Sequence, residues 1–517
     1  FVFTGDLFNM YVMLEIMTFS AIALTAFRNY KDKSLEAAFK YIVTGSLGSS
    51  LVLLGTALIY AQTKTLNLAE IAVFLKESSI NPMIIIAFAL MMVGYAVKAF
   101  MVPCHTWPTD AHMAAPSSIS MILSGVMSKT GVYAIIRLVF MIFGFSSNLG
   151  VGWLMLIWGI VTMVIGVSMA LLQHDFKRLL AFHSVSQIGY IITAIGIAIL
   201  ESGSIRVLAM TGGAYHMINH AIFKGLLFLT AGSVLYATGT TDLDSVSGLG
   251  KKMPFTMVMF LFGAAAISGI PPFNGFSSKW MIYEAGFSGS YGIAAVIAVV
   301  VSALTLASFI KVGHSVFFGP LKYEHKNIKE VPMAMKLPMG ILAAGTIVFG
   351  LFPKSVVNYF LLPVVKSVFN VGLYVSSSLG NIYNSLFNIE DIKEKPDVIV
   401  DFSVPVSTFN ILNYAIKEPE FNYVKEFDKI IKKYDLKGQI KKVSNIVCEY
   451  MITSDNDFLK RIGEEETRRY FETAYKFVCE YKDLGEKYIL SARIHLDERS
   501  PHMHLLFLPV VHTTDKK

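Results

Sequence analysis

Cysteine is nearly absent from this 517-residue chain: Cys104, Cys448 and Cys479 lie far apart and form no CxxC pair. A disulfide scaffold is therefore excluded, and buried or inert thiols are expected. Charge is also scarce over most of the length. Residues 1–390 hold 23 Lys+Arg against 15 Asp+Glu, a net of +8, whereas residues 391–517 hold 21 against 22, a net of −1. The first part is too apolar for a soluble globule and too hydrophobic for disorder, while the second has a soluble composition. The overall excess of +7 sits between apolar stretches rather than on a DNA-binding face. No charged leader or cleavage site precedes the first apolar stretch, and Phe1 is not a start residue. The chain is accordingly expected to be cut at both ends, since it also stops soon after a metal-type motif.

What is present is a series of apolar stretches long enough for a bilayer of about 30 Å. They fall near 6–26, 38–61, 80–102, 117–143, 150–173, 179–200, 206–237, 254–285 (broken), 290–319 and 337–352, with a weaker one near 356–376. The expected fold is an all-α polytopic membrane bundle of ten or eleven helices, followed by a small α+β soluble fragment. Loops after the first, fifth and seventh stretches carry Arg28, Lys31, Lys33, Lys177, Arg178, Lys251 and Lys252. The positive-inside rule puts these in the cytoplasm, and the tail with them if the eleventh segment crosses. Residues 391–420 read as a linker, and 421–517 as helices near 421–434 and 462–482 followed by strands near 488–496 and 503–511.

Charges at membrane depth are costly and usually functional. Glu15, Lys98, Lys129, Lys224 and Lys279 qualify, together with His216 and His220. Lys98 and Lys279 could each snorkel to an interface, whereas Glu15 and Lys129 are too deep in apolar surroundings. Residues 216, 220 and 224 share a helix face. Two histidines four apart can hold a metal, but Lys224 beside them would repel a cation. A proton relay or structural hydrogen bonding fits better. Two stretches are broken by proline, at Pro103, Pro108 and Pro116 and at Pro271 and Pro272. Broken helices in matching halves mark inverted-repeat transporters with a site at the breaks, and Lys98 and Lys279 each lie near one.

TGDLFNMYVMLE at 4–15, PCHTWPTDAHMAAPSSIS at 103–120, SKTGVY at 128–133, HDFKRLLAFHSVSQIGY at 174–190, HMINHAIFKGLLFL at 216–229 and GIPPFNGFSSKW at 269–280 occur in this order. They resemble the antiporter-like membrane subunits of respiratory complex I, membrane-bound hydrogenases and Mrp-type cation/proton antiporters. TGDLFNMYV is most similar to the Mrp D-type subunit. The resemblance implies a fold of about fourteen helices with two inverted repeats, of which the first four helices are lacking here. It implies that Glu15 is the glutamate of the fifth helix, Lys98 the lysine of the broken seventh and Lys129 that of the eighth. His216, His220 and Lys224 then lie on the eleventh helix and Lys279 on the broken twelfth. The implied function is proton or cation translocation within a membrane complex, with other subunits and the lipid bilayer as partners and no cofactor in the membrane part. Glu15 and Lys98 would form a charge pair. A membrane scaffold without conduction is the alternative.

In the tail, ILSARIHLDERSPHMHLLFLPVV at 489–511 resembles the HxDExxPHxH metal motif of Mob/Pre plasmid-mobilisation relaxases. His495, Glu498, His502 and His504 would offer imidazole and carboxylate ligands to a divalent ion such as Mn²⁺ or Mg²⁺, which would polarise a DNA phosphate. His495, Glu498 and His502 are the ligands that resemblance favours. DNA is a partner only if this fragment works. Two families without a shared function point to a chimaeric or mis-assembled reading frame, a truncated transporter joined to a truncated relaxase. The nucleophile motif is not visible, and a net charge of −1 gives no funnel for DNA. Residues 391–517 are therefore expected to leave supercoiled plasmid intact with Mn²⁺ or Mg²⁺. A nicked product that disappears in His502→Ala would contradict this.

Overall fold

The computed structural model describes residues 1–77, 81–145, 147–369, 414–417, 448–453, 456–480, 489–495 and 502–507. The chain divides into two compact units, Phe1–Leu379 and Gly380–Lys517. The first is helical throughout its described residues. Its elements are α1 (Leu7–Thr25), α2 (Asp32–Thr63), α3 (Leu68–Glu77), α4 (Pro82–Lys98), α5 (Thr106–Ala114), α6 (Ser117–Ile122) and α7 (Ser128–Ile136). There follow α8 (Leu149–Leu171), α9 (Phe176–Leu200), α10 (Gly203–Thr238), α11 (Pro254–Ser268), α12 (Asn274–Ser288), α13 (Gly292–Gly313), α14 (Met333–Leu351), α15 (Pro353–Val356) and α16 (Leu362–Phe369).

Among the described residues eight helices are long and apolar enough to cross a membrane, counting 117–142 as one; α4 and α11 are shorter. This is a multi-pass membrane protein. The broken stretches are each resolved into two helices. α4 stops at Lys98, the chain turns through Phe100 at φ 65°, and α5 begins at Thr106. α11 stops before Gly269 at φ 78°, and α12 begins after Pro271 and Pro272. Proline removes a donor and clashes with the preceding turn, so neither helix can run through. π-helical turns at Leu123–Met127 and Arg137–Ile142 flank α7 within one otherwise continuous span. The described part of the weak eleventh stretch, up to Phe369, holds the end of α15, a π-turn and α16.

Start signals are local. Asp6, Asn81, Asn148 and Asp175 each accept from a backbone N–H in the first turn of α1, α4, α8 and α9, as N-caps do. Helix α9 is the centre of the unit, with 94% of its apolar window buried. It packs on α8 through glycines. A Cβ on Gly159 would lie 2.4 Å from the Thr193 amide nitrogen, and one on Gly189 2.4 Å from that of Met163. Close approach of this kind is how membrane helices gain dispersion contact when lipid supplies no hydrophobic drive.

The second unit contains a four-stranded sheet of order β1-β3-β4-β2, from β1 (Tyr414–Lys417), β2 (Cys448–Thr453), β3 (Ile489–His495) and β4 (His502–Phe507), all neighbours antiparallel. Helix α17 (Asn456–Glu480) belongs to the same core, in which Phe471, Tyr475 and Val478 cluster with Ala492, Ile494, Met503 and Leu505. The expectation of two strands is corrected to four. β2 has a single charged residue among mixed side chains and no clear alternation, and β1 falls inside the segment read as linker. The helix expected near 421–434 lies outside the described residues.

Gly189→Val is expected to force α8 and α9 apart and cost about 1–3 kcal/mol, seen as a lower Tm in detergent. Gly340→Ala, where nothing lies within 4 Å of an added Cβ, serves as the neutral control.

Candidate functional site

A row of buried cations runs through the first unit, and the backbone irregularities place it. Lys98, the last residue of α4, is buried and donates to the Thr18 hydroxyl and the Gly45 carbonyl, both at 2.9 Å. Glu15, one turn before Thr18, is half-buried, and its Oε1 has no hydrogen-bond partner. The expected Glu15–Lys98 pair is therefore corrected. The two charges sense each other, but the ammonium is held by a hydroxyl and a main-chain oxygen instead. Thr18 stands one turn above Glu15 on the same face and reaches Lys98 first.

Lys129 follows the first π-turn and donates to the Ser124 carbonyl at 2.5 Å and to the Ser128 hydroxyl at 3.3 Å. A π-turn shifts the helical ladder by one residue, and Ser124 lies within that turn. On α10, His216, His220 and Lys224 are all wholly buried, in keeping with their shared helix face. The two imidazole rings lie nearly parallel with centroids 6.4 Å apart. Neither nitrogen of His220 has a partner. Lys224 turns to α9, donating to the Leu180 carbonyl, with its charge 5.7 Å from the Phe228 ring. Lys279 sits on α12, after the second break. It donates to the Ile267 carbonyl at 2.8 Å and the Ser302 hydroxyl at 2.9 Å, and lies 4.6 Å from the centroid of Tyr190. Snorkelling is excluded by this burial for Lys98 and Lys279 alike.

Several members of the row are not evident from sequence. Lys177 reads there as a loop cation, yet it is 1% exposed and donates to the Ala115 carbonyl. It lies in the first turn of α9, which tucks beneath the end of α5. His112 on α5 is wholly buried with both ring nitrogens unpartnered, and its ring stacks on Phe228 at 4.8 Å. The charges of Lys177, Lys224 and Lys129 all act on it. His183, Gln187 and Tyr190 form a polar face on α9 at helical spacing, bonding Ser308, His216 and the Ala298 carbonyl in turn. That spacing is legible inside HDFKRLLAFHSVSQIGY, but without neighbouring helices it cannot be told from a buried structural face. Asn219 of α10 and Asn274 at the second break bond each other, at 2.9 Å to the Asn274 carbonyl and 3.1 Å between the amides.

At the membrane surface Asp110 of α5 binds Lys40 at 2.9 Å and stands 3.8 Å from Arg178, tying the second half of the broken helix to α2 and α9. In the loop after α10 the Ser245 hydroxyl holds the Asp242 carboxyl below its ordinary range.

In the second unit, the backbone register sets His495 of β3 opposite His502 of β4, with His504 opposite Arg493. Two expected ligands thus meet on adjacent strands; Glu498 lies outside the described residues. The donor set suits a divalent metal.

A bundle with two broken helices, each with a buried lysine near it, defines an antiporter-like membrane subunit. Residues 4–305 match the family NADH:quinone oxidoreductase/Mrp antiporter, TM, and the chain belongs to it. It is 34% identical over 380 residues to the D-type subunit of the Na(+)/H(+) antiporter of Alkalihalophilus pseudofirmus, covering 73% of this chain and 74% of that protein. It is 32% identical to the N-type subunit of the NADH-quinone oxidoreductase of Desulforudis audaxviator, covering 69% and 72%. Among solved structures it resembles a chain of the Mrp complex from Dietzia sp., with TM-score 0.64, 28% identity and coverage of 72% and 76%. It also resembles one of the membrane-bound sulfane sulfur reductase, an archaeal respiratory membrane complex, with TM-score 0.64, 33% identity and coverage of 72% and 74%. Residues 408–517 match the family Plasmid recombination enzyme, Mob_Pre.

Asn219→Ala should cost about 1–3 kcal/mol by leaving the Asn274 amide and main-chain carbonyl without this partner, and Asn274→Ala less, because Asn219 keeps its bond to the carbonyl of residue 274. The double variant should cost less than their sum, by about 0.6–2 kcal/mol, in a double-mutant cycle on Tm.

Proposed function

We propose that the membrane unit moves protons as a subunit of a multisubunit antiporter or respiratory complex, through Glu15, Lys98, Lys129, His216, His220, Lys224 and Lys279. The observation that carries this reading is the set of lysines buried at membrane depth and held, among the described residues, by carbonyls and hydroxyls instead of carboxylates. A structural role would favour neutral or paired groups there, because an isolated charge is so costly. A lysine so placed can exchange its proton, with the charged form held by carbonyls and hydroxyls and the neutral form favoured by the apolar surroundings. Lys98 and Lys279 stand near backbone breaks, where water can reach helix interiors. Partners are the other subunits of such a complex, as in the related proteins. The positive-inside rule puts the charged loops at Arg28, Arg178 and Lys251 in the cytoplasm, and the tail with them if 356–376 crosses.

For the tail we favour a remnant of a plasmid-mobilisation relaxase. His495, Glu498, His502 and His504 would hold a divalent ion, which when bound supplies Lewis-acid polarisation of a phosphate. The family match over 408–517 supports this reading.

The test uses an intact related antiporter subunit, within its complex, in proteoliposomes with an internal pH-sensitive dye. Arginine in place of the lysines that match Lys98 and Lys279 is expected to abolish flux, since a guanidinium does not release its proton in the useful range. Flux unchanged in both variants would remove the relay and favour a scaffold.

A further inference from the structure

The proton path just proposed treats His216 and His220 alike, but their surroundings differ, and the difference lies on α9. His216 has both ring nitrogens engaged. Its Nε2 is 3.0 Å from Oε1 of Gln187, and its Nδ1 is 3.0 Å from the Ser278 hydroxyl. Gln187 and Ser278 are both wholly buried, so both contacts are shielded from bulk solvent. In this orientation of the Gln187 amide, whose own nitrogen has no partner among the described residues, the oxygen faces Nε2 and accepts, so Nε2 carries the proton in the neutral ring. Nδ1 then accepts from Ser278. The hydroxyl's other acceptors, the carbonyls of Gly275 and Asn274, are farther, at 3.2 and 3.4 Å. His220 has neither nitrogen engaged.

We propose that Gln187 is a positioning residue that closes Nε2 of His216, so that this ring takes up and returns protons through Nδ1 alone, on the side of Ser278 and α12. Uptake forms one Nδ1–H bond as the Ser278 O–H bond breaks, the hydroxyl oxygen taking a replacement proton from the α12 side, and no bond at Gln187 changes. Release reverses the same step, because an amide oxygen is too weak a base to carry the Nε2 proton onward. His216 is then a proton store that reports to α12, next to Lys279, and not a wire through which protons pass. Through-transfer along α10 then falls to His220, neither of whose nitrogens is held by a partner among the described residues. The groups around His216 are Gln187 and Tyr190 from α9, Ser278 and Lys279 from α12, His220 on its own helix, and Lys129, whose charge reaches it.

This assignment rests on the proton-path reading for its meaning, but its test does not need flux. The full chain, labelled with ¹⁵N-histidine, is placed in lipid bilayers at alkaline pH, and solid-state NMR reads the tautomers. The His216 signal is identified by its loss in His216→Asn. The wild type should show the Nε2-protonated form. Gln187→Met, of similar length but without an acceptor, should lower the ratio of Nε2–H to Nδ1–H by roughly two- to tenfold, the net worth of one hydrogen bond. Gln187→Glu, which keeps the acceptor, should retain the wild-type form, as should Ser278→Ala. Unchanged signals from His112 and His183 certify the fold of each variant. Should Gln187→Met fail to fold, Gln187→Glu and Ser278→Ala still decide, since a shift to Nδ1–H in either overturns the proposal. An Nδ1-protonated wild type, or a ratio untouched in folded Gln187→Met, does the same. A tautomer change without a change in dye-reported flux in the matching variant of the related subunit would uphold the assignment and count against the relay.

Discussion

An ammonium group leaves water at great cost unless something inside replaces its hydration. Five buried lysines of the membrane unit meet this constraint in one way, by donating to main-chain carbonyls: Lys98 to Gly45, Lys129 to Ser124, Lys177 to Ala115, Lys224 to Leu180 and Lys279 to Ile267. Carbonyls inside a regular helix are already bound along the ladder. Irregular backbone loosens that binding, and two of these carbonyls come from it: Ser124 lies in a π-turn and Ala115 caps α5. Ile267 lies in the last turn of α11, where carbonyls lose their partners. Broken helices and wide turns thus supply three of the five oxygens, while Gly45 and Leu180 accept from within regular helices.

Much of this is legible in the sequence. Proline clusters mark both interruptions, so these and the lysines near them can be read directly, although α14 runs through the single Pro338. The i, i+4, i+8 spacing of His216, His220 and Lys224 fixes their common face. Partners cannot be read. Opposite charge suggests pairing Glu15 with Lys98, yet Thr18 and Gly45 occupy the ammonium, a matter of which atom on two other helices arrives first. Lys177 reads as solvent-facing because it adjoins Arg178 and Asp175. Only the fold shows that one of two adjacent cations points inward to Ala115 while the other stays at the surface near Asp110. In the tail, β3 and β4 announce themselves by β-branched and aromatic content, while β1 and β2 lie in stretches whose composition suits linker or helix equally well.

The polar face of α9 shows why burial and function are hard to separate in sequence. His183, Gln187 and Tyr190 hold Ser308, His216 and Lys279 in order. The same helix carries Gly189 and Gly196, which admit the α8 backbone on its opposite flank. One helix therefore does two jobs on two faces, and its near-complete burial is the result of both.

That burial also bears on how the protein is made. α9 touches almost no lipid in the finished bundle, and it carries Lys177, His183 and Gln187, which a bilayer would reject from an isolated helix. Its neighbour α8 has no charged residue, and residues 172–175 alone separate the two. The glycine contacts between them form within this hairpin, before any distant helix is needed. The polar face of α9 is closed on the other side by α10 and α13, through His216, Ser308 and the Ala298 carbonyl.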